Sequence, residues 1–394
     1  MGSGVVYTLG LDLKDAVLRP QAGRHFRGPS TGFVPGADVW PLVFRGWYEG
    51  RSPFWVRLRA LPGSSKAALI LTHAIGWGST LEGAEAFARI EEPRGVRATW
   101  FVQTRVAPSA LEAPPWDGRM RKLLSGLAAS GHEIAAHTVS HGPDLRMLPF
   151  GTGEEVPEDY RPSLDADGRT RGGTLMGEVR VPKLLLEAVP GARVEGLRAA
   201  FKAYPDHLDA AAARAGYKYD SSLSAGQTLG YFPFRLMPGR GMDRESAVVE
   251  LPMGMEDEDA PDDPMDAGAL LGLLGKTAAN ECPLTLLVHP NASPQKRASL
   301  IRALDGLPAG TSVLTAGEAA RFWEARSRTR FSFERKGGEA LLRVWAPTGR
   351  NGLSFEVSRR VSACSSSAKV RCSGRLVVLE ESAGGPVDVR MTLE

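Results

Sequence analysis

Short apolar runs alternate with stretches of helical spacing from Lys66 to Arg326, and this alternation limits the possible folds more than any other feature of the chain. Ala67-Ala68-Leu69-Ile70-Leu71-Thr72 is a continuous apolar run, as a strand buried on both faces requires. Leu81 to Ile90 has helical spacing, Arg97 to Val102 reads as a second buried strand, and Met120 to Ala129 as a helix stopped by Gly131. His132 to Ala136 is a third strand. The pattern then repeats through helices at Val181–Val189, Leu208–Ala215, Ala267–Ala279, Lys296–Leu304 and Gly317–Arg326. Strands are expected between them at Tyr217–Asp220, Val248–Pro252, Leu284–Val288 and Thr311–Leu314. Such repetition predicts a parallel α/β sheet or barrel, in which chemistry gathers at the carboxyl ends of strands.

The flanks differ in character. Residues 1–65 are rich in Gly, Pro and aromatics, with strand-like alternation at Phe54–Leu61 and strand-like pieces in Val39–Tyr48; a β-rich lead-in is expected. Residues 327–394 carry alternating segments at Phe331–Glu334, Ala340–Trp345, Leu353–Val357, Arg375–Glu380 and Pro386–Leu393, predicting a small antiparallel β module of sandwich type. The two flanks are expected to pack together, since neither is large enough for a generous core. Cys364 and Cys372 have a spacing that suits a bridge across a hairpin or short loop; two free thiols are the alternative. A bridge would imply an oxidising compartment.

A formal charge of +3 on 394 residues, with arginine spread along the chain, does not favour nucleic acid as a partner. No apolar run is long enough to span a membrane. Met1-Gly2-Ser3-Gly4 lacks the basic and apolar regions of a signal peptide, and a scar on a trimmed chain is one reading of it. The expected location is extracellular or periplasmic if a signal peptide was removed, and cytoplasmic otherwise.

The polar residues of interest fall where the predicted strands end. Thr72-His73 closes the first, His137-Thr138-Val139-Ser140-His141 follows the third, and Arg198, Asp220 and His289 end others. On a helical turn, His137 and His141 would share one face, which suits a zinc-type cation. For a bare HxxxH pair, two buried structural histidines are the simpler reading. Trp77 and Trp116 fall on predicted loops and are candidates for stacking on a sugar, whereas Trp100 lies within a strand and is expected in the core. The acidic stretch from Glu256 through Asp259, continuing at Asp262-Asp263, reads as a solvated loop.

Taken together, Leu71-Thr72-His73, Ala98 to Val102, Gly131 to Ile134 with His137 to His141, Gly196 to Phe201, Tyr219 to Ser222 and Leu287 to Pro290 resemble the polysaccharide deacetylases. This is carbohydrate esterase family 4, the NodB-homology enzymes. The resemblance covers residues 66–326 and implies a distorted (β/α) barrel that binds a divalent metal, usually zinc, and acts on acetylated sugar polymers. It implies His137 and His141 as metal ligands, His289 as general acid, Arg198 as the residue orienting the base, and Thr138 and Asp220 as support.

The first motif departs from the family pattern. Thr72-His73-Ala74-Ile75-Gly76-Trp77 places Ala74 at the general-base position and Gly76, or Ile75 on a shorter alignment, at the third metal-ligand position. None of these side chains can ligate a cation or take a proton. General-base assistance is worth roughly 10²–10⁴-fold in rate. The expectation is therefore a family member directed at a carbohydrate polymer, with weakened or lost deacetylation and weak or absent metal. Two alternatives remain: an active N- or O-deacetylase using a substitute carboxylate, with Glu133, Asp144 and Glu82 nearest in sequence, or a non-catalytic carbohydrate-binding or scaffold protein in extracellular polymer production. Arg198, without its carboxylate, is expected to face solvent, another acid or an anionic ligand.

Overall fold

The computed structural model describes residues 6–14, 16–17, 32–76, 79–104, 116–237, 244–257, 265–291, 293–349, 352–381 and 385–394. Its strands are, in chain order, β1 (Val56–Leu58), β2 (Ala67–Ile75), β3 (Thr99–Val102), β4 (Glu133–Ala136), the hairpin β5 (Ser163–Leu164) and β6 (Thr170–Arg171), β7 (Gly196–Leu197), β8 (Tyr219–Asp220), β9 (Phe234–Arg235), β10 (Val249–Glu250), β11 (Met253–Glu256), β12 (Leu284–Val288) and β13 (Thr311–Leu314). The main sheet runs β11-β12-β2-β3-β4-β7-β8-β10-β9, with β13 also paired to β2. Every pairing in it is parallel except β9 with β10. The sheet curls into a half-barrel, and an isolated parallel bridge pairs Ser224, beyond β8, with Met253 of β11.

Strand β2 shows why the sheet sits between two apolar layers. All nine of its residues are buried. Leu69, Leu71 and Ile75 enter the large outer core with helix residues such as Ala84, Phe87, Leu124 and Met176, while Ile70 joins Phe101, Ala135 and Tyr219 inside the curl. The period of two decides which side chains can reach the interior. Residues 70, 72 and 74 point inward, and 69, 71, 73 and 75 outward.

The flanks form a second core. Beyond β14 (Arg330–Lys336), β15 (Glu339–Trp345), β16 (Ser354–Val357), β17 (Val361–Ser366), β18 (Val370–Ser373), β19 (Leu376–Leu379) and β20 (Pro386–Leu393), two four-stranded antiparallel sheets assemble in the orders β1-β16-β19-β18 and β14-β15-β20-β17. Phe54 and Val56 of the N-terminal segment are buried in this sandwich with Leu342, Phe355 and Val389, so the two flanks do pack together. Cys364 and Cys372 are disulfide-bonded and join one sheet to the other through β17 and β18. One expectation fails: Val39–Arg51 is a helix of 13 residues, not strand pieces. Its aromatics are half-buried or exposed on a single amphipathic helix, and close spacing of Trp and Phe does not distinguish that from alternating strands.

Candidate active site

The His137–His141 stretch leaves the carboxyl end of β4 as an irregular loop and not as a helical turn. Thr138 and His141 adopt left-handed φ values of 60° and 59°, which are uncommon for residues with a Cβ. A buried acid holds that shape. Glu178, on the helix Leu175–Glu187, accepts the Val139 and Ser140 backbone N–H groups, each at 2.9 Å, and the Tyr160 hydroxyl at 3.0 Å. Nothing in the sequence pattern marks Glu178, because its partners are backbone amides some 38 positions away in the chain.

The two bends turn the rings onto each other, with His137 Nε2 3.1 Å from His141 Nε2. His137 Nδ1 lies 2.9 Å from the Arg198 carbonyl, so this nitrogen carries the proton and Nε2 keeps its lone pair. Burial and the neighbouring His141 hold the His137 imidazole well below its ordinary pKa, and burial with the charge of His289 pushes His141 down to about 4. Both rings are therefore neutral donors at neutral pH. A separation near 3 Å with one ring fixed by a carbonyl is the arrangement that two histidines take around a shared tetrahedral cation.

The positions expected to bear acids are now visible. Ala74 points into the curl and packs with Met253 and Leu287 in a small apolar cluster. Ile75 points the other way, into the outer core. A Cβ built on Gly76 would lie 3.3 Å from His141 Nε2 and 3.6 Å from Gln103 Oε1, so position 76 faces the histidine pair and position 75 does not. Among the described residues no group of three His, Cys, Asp or Glu side chains is placed to hold a metal. The donors present thus fit two of the three positions at which protein side chains ordinarily bind a catalytic zinc.

Arg198 does not meet solvent, an acid or an anion, as the sequence led one to expect. It is buried, donating through Nε to Ser221 O (3.0 Å), through Nη1 to Thr72 Oγ1 (3.0 Å) and through Nη2 to Ser221 Oγ (2.9 Å), with the guanidinium 4.1 Å from the Phe101 ring centre. Burial lowers its pKa to about 10, so it stays charged, held by neutral acceptors and an aromatic face. Asp220 supports this arrangement one step away. Its Oδ1 accepts from the Ser221 N–H and the Ser222 hydroxyl, and Ser222 Oγ in turn accepts the Ala199 N–H.

His289 ends β12 with its ring turned by Asp257. The Asp257 carboxylate accepts the His289 backbone N–H at 2.9 Å and faces Nδ1 at 2.8 Å, while the buried Lys296 ammonium lies 2.9 Å away. Asp257 was hidden in an acidic stretch that read as solvated; its neighbours 258 to 263 fall outside the described residues. A carboxylate on Nδ1 fixes the orientation of the His289 ring and so decides which ring nitrogen is left for other partners.

The remaining candidates scatter. His73 faces the outer layer, with Nε2 2.6 Å from Glu91 and its ring 4.3 Å from Trp100, so it belongs to the core. Trp100 is buried there as expected. Trp116 is partly buried against the same core, and Trp77 lies outside the described residues. Glu133 accepts from Thr99 and the Gly317 N–H at the amino end of its strand, Asp144 binds Thr170 of the β6 hairpin strand, and Glu82 is exposed on its helix. None of the three turns toward the histidines.

Residues 64–219 match the family model for polysaccharide deacetylases. The chain carries a polysaccharide deacetylase domain. Solved structures similar to it include a protein of Mycobacterium smegmatis assigned to the polysaccharide deacetylases, at 18% identity over 70% of this chain and 96% of that one, with a TM-score of 0.48. A family 4 carbohydrate esterase from Streptomyces lividans in complex with acetate is 12% identical over 64% of this chain and 92% of its own, with a TM-score of 0.39. A family 4 pseudoenzyme from Bacillus anthracis is 13% identical over 65% and 66%, also with a TM-score of 0.39. No curated protein matches the sequence. The match to the deacetylase model stops at Tyr219, before Asp257 and His289, so the site described above extends beyond the matched region.

Proposed function

We propose that this deacetylase-family chain presents a carbohydrate-facing cleft in which metal-dependent deacetylation is weak or lost. The observation that carries this reading is the environment of the first motif. Ala74 sits in an apolar cluster with Met253 and Leu287, and Gly76 faces the histidine pair without a side chain. A divalent cation held at this site would polarise an acetyl carbonyl and acidify a water. Here His137 and His141 are the donors toward such a cation, His289 with Asp257 is poised to give a proton to a leaving amine, and Arg198 with Thr72 and Ser221 shapes the floor. The missing piece is the base, and its absence lowers turnover by roughly 10²–10⁴-fold.

The Cys364–Cys372 bridge supports placing the chain in an oxidising compartment outside the cytoplasm. The ligand proposed is an acetylated amino-sugar polymer.

Acetate release from acetylated chitooligosaccharide, alongside calorimetric binding of the same sugar, tests this. The expected result is binding without measurable turnover, and turnover once Ala74→Asp and Gly76→Asp are introduced together. Wild-type turnover comparable to an intact deacetylase would sink the proposal. The absence of sugar binding in both chains would remove its carbohydrate half.

A further inference from the structure

We propose that the side-chain carbonyl of Gln103 is the third protein donor beside His137 and His141, giving a divalent-cation site with three neutral donors in place of two histidines and a carboxylate. The proposal rests on the reading of the histidine pair as a metal site and adds a residue that the family pattern does not supply.

Gln103 follows β3 directly, and its backbone N–H donates to Ile75 O at 3.0 Å, which ties it beside Gly76. The residue is 4% exposed. Its Nε2 faces the carbonyl oxygens of Val139 and Ser140 at 3.4 and 3.3 Å. Those oxygens only accept, so they fix the amide orientation: the amino group meets the loop and Oε1 points elsewhere. Among the described residues Oε1 is buried with no hydrogen-bond partner, which ordinarily costs about 1–3 kcal/mol. Gln103 Oε1 and His141 Nε2 border the same space, since the point where a Gly76 Cβ would stand lies 3.6 Å from the first and 3.3 Å from the second. Two unsatisfied hydroxyls, Thr104 Oγ1 and Thr138 Oγ1, belong to the same strand-end segment and loop. A polar occupant suits such a lining and an apolar one does not.

The chemistry follows from the donor set. An amide oxygen is a competent ligand for a divalent cation, but it brings no charge. Three neutral donors leave the full positive charge of the cation uncompensated, so affinity is lower than with a carboxylate. The glycine at position 76 keeps this space open, because a Cβ there would lie 3.3 Å from His141 Nε2 and 3.6 Å from Gln103 Oε1.

Calorimetry with Zn(II) and visible absorption of Co(II), both on the full chain, read the site without relying on activity. One equivalent is expected to bind. Gln103→Leu should weaken binding by ~10-fold or more, given that loss of even a residue one step removed from a metal costs ~10–100-fold. Gln103→Glu should tighten binding and change the Co(II) spectrum, and His141→Ala should abolish it. Melting curves of the metal-free variants check that the fold is kept; if the leucine variant does not fold, the isosteric glutamate variant decides. A wild-type chain that binds neither cation, or variants at position 103 that bind like wild type, would overturn the assignment. Chitooligosaccharide binding by the same samples separates the two readings. Sugar binding that survives while position 103 proves irrelevant removes only the Gln103 donor, and loss of sugar binding with the cation effect intact removes only the carbohydrate function.

Discussion

Asp257 holds the His289 ring and the buried Lys296 ammonium with a single carboxylate. Burial alone would raise its pKa, but His289 and Lys296 outweigh that and hold it below the ordinary aspartate value. A depressed carboxylate contributes stability above the unfolded-state pKa and loses it as pH falls through the folded-state value. Wild type should therefore lose stability below about pH 4 more steeply than Asp257→Asn. At pH 7 the same substitution leaves Lys296 buried and uncompensated, a loss of about 3–5 kcal/mol. Urea midpoints at pH 3 and pH 7 measure both effects, and equal midpoints for the two chains at pH 7 would refute the pairing.

Glu178 decides the shape of a whole element, the loop that carries both histidines. Removing its carboxylate in Glu178→Ala strands the Val139 and Ser140 N–H groups in a buried setting, at about 1–3 kcal/mol each. The expected outcome is a stability loss of about 3 kcal/mol, together with displaced His137 and His141 ring resonances in NMR spectra. Unmoved resonances would show that the loop holds itself. A second element-level feature pairs β8 with β10. Asp220 and Glu250 are buried side by side, and each has one oxygen without a partner, Oδ2 and Oε2. A single proton between the two acids satisfies both. Burial pushes Asp220 up to about 7, and burial with the charge of Asp220 holds Glu250 well above its ordinary value. A raised pKa contributes stability below the unfolded value and loses it as pH rises through the folded value. The chain should then be more stable at pH 5 than at pH 8, losing stability as pH rises above the unfolded value toward about 7. Asp220→Asn should flatten that decline, and an unchanged slope would argue against the shared proton.

Across the whole molecule, one helix joins the two cores. Ala316, Ala319 and Ala320 of Ala316–Arg328 pack inside the curled sheet, while Phe322 and Ala325 enter the sandwich. The disulfide acts only within the sandwich, closing a sequence separation of eight residues between its two sheets. Replacing both cysteines by serine should lower stability by about 2.5 kcal/mol on the loop-entropy estimate. Because the shared helix couples the cores, a single shifted unfolding transition is expected in calorimetry. An early separate transition for the sandwich would show that the cores unfold independently.

The strand and helix succession was legible from residues 66 to 326 because buried strands and amphipathic helices leave different periods in a sequence. Ala267–Ala279, Leu284–Val288 and Thr311–Leu314 agree with expectation to the residue. The helix Val39–Arg51 and the strands β11, β17 and β18 were not anticipated, since short or aromatic-rich segments carry no such period. The same divide runs through the candidate site. Sequence alone determined which residue types stand at the strand ends, including the missing acids at 74 and 76. Only the tertiary structure decided that Ile75 faces outward while Gly76 faces His141, that the charged Arg198 is held by hydroxyls and a carbonyl, and that Glu178, Asp257 and Gln103 matter. Their partners are backbone groups or side chains from other strand ends, and a linear pattern holds no record of contacts made only when the sheet curls.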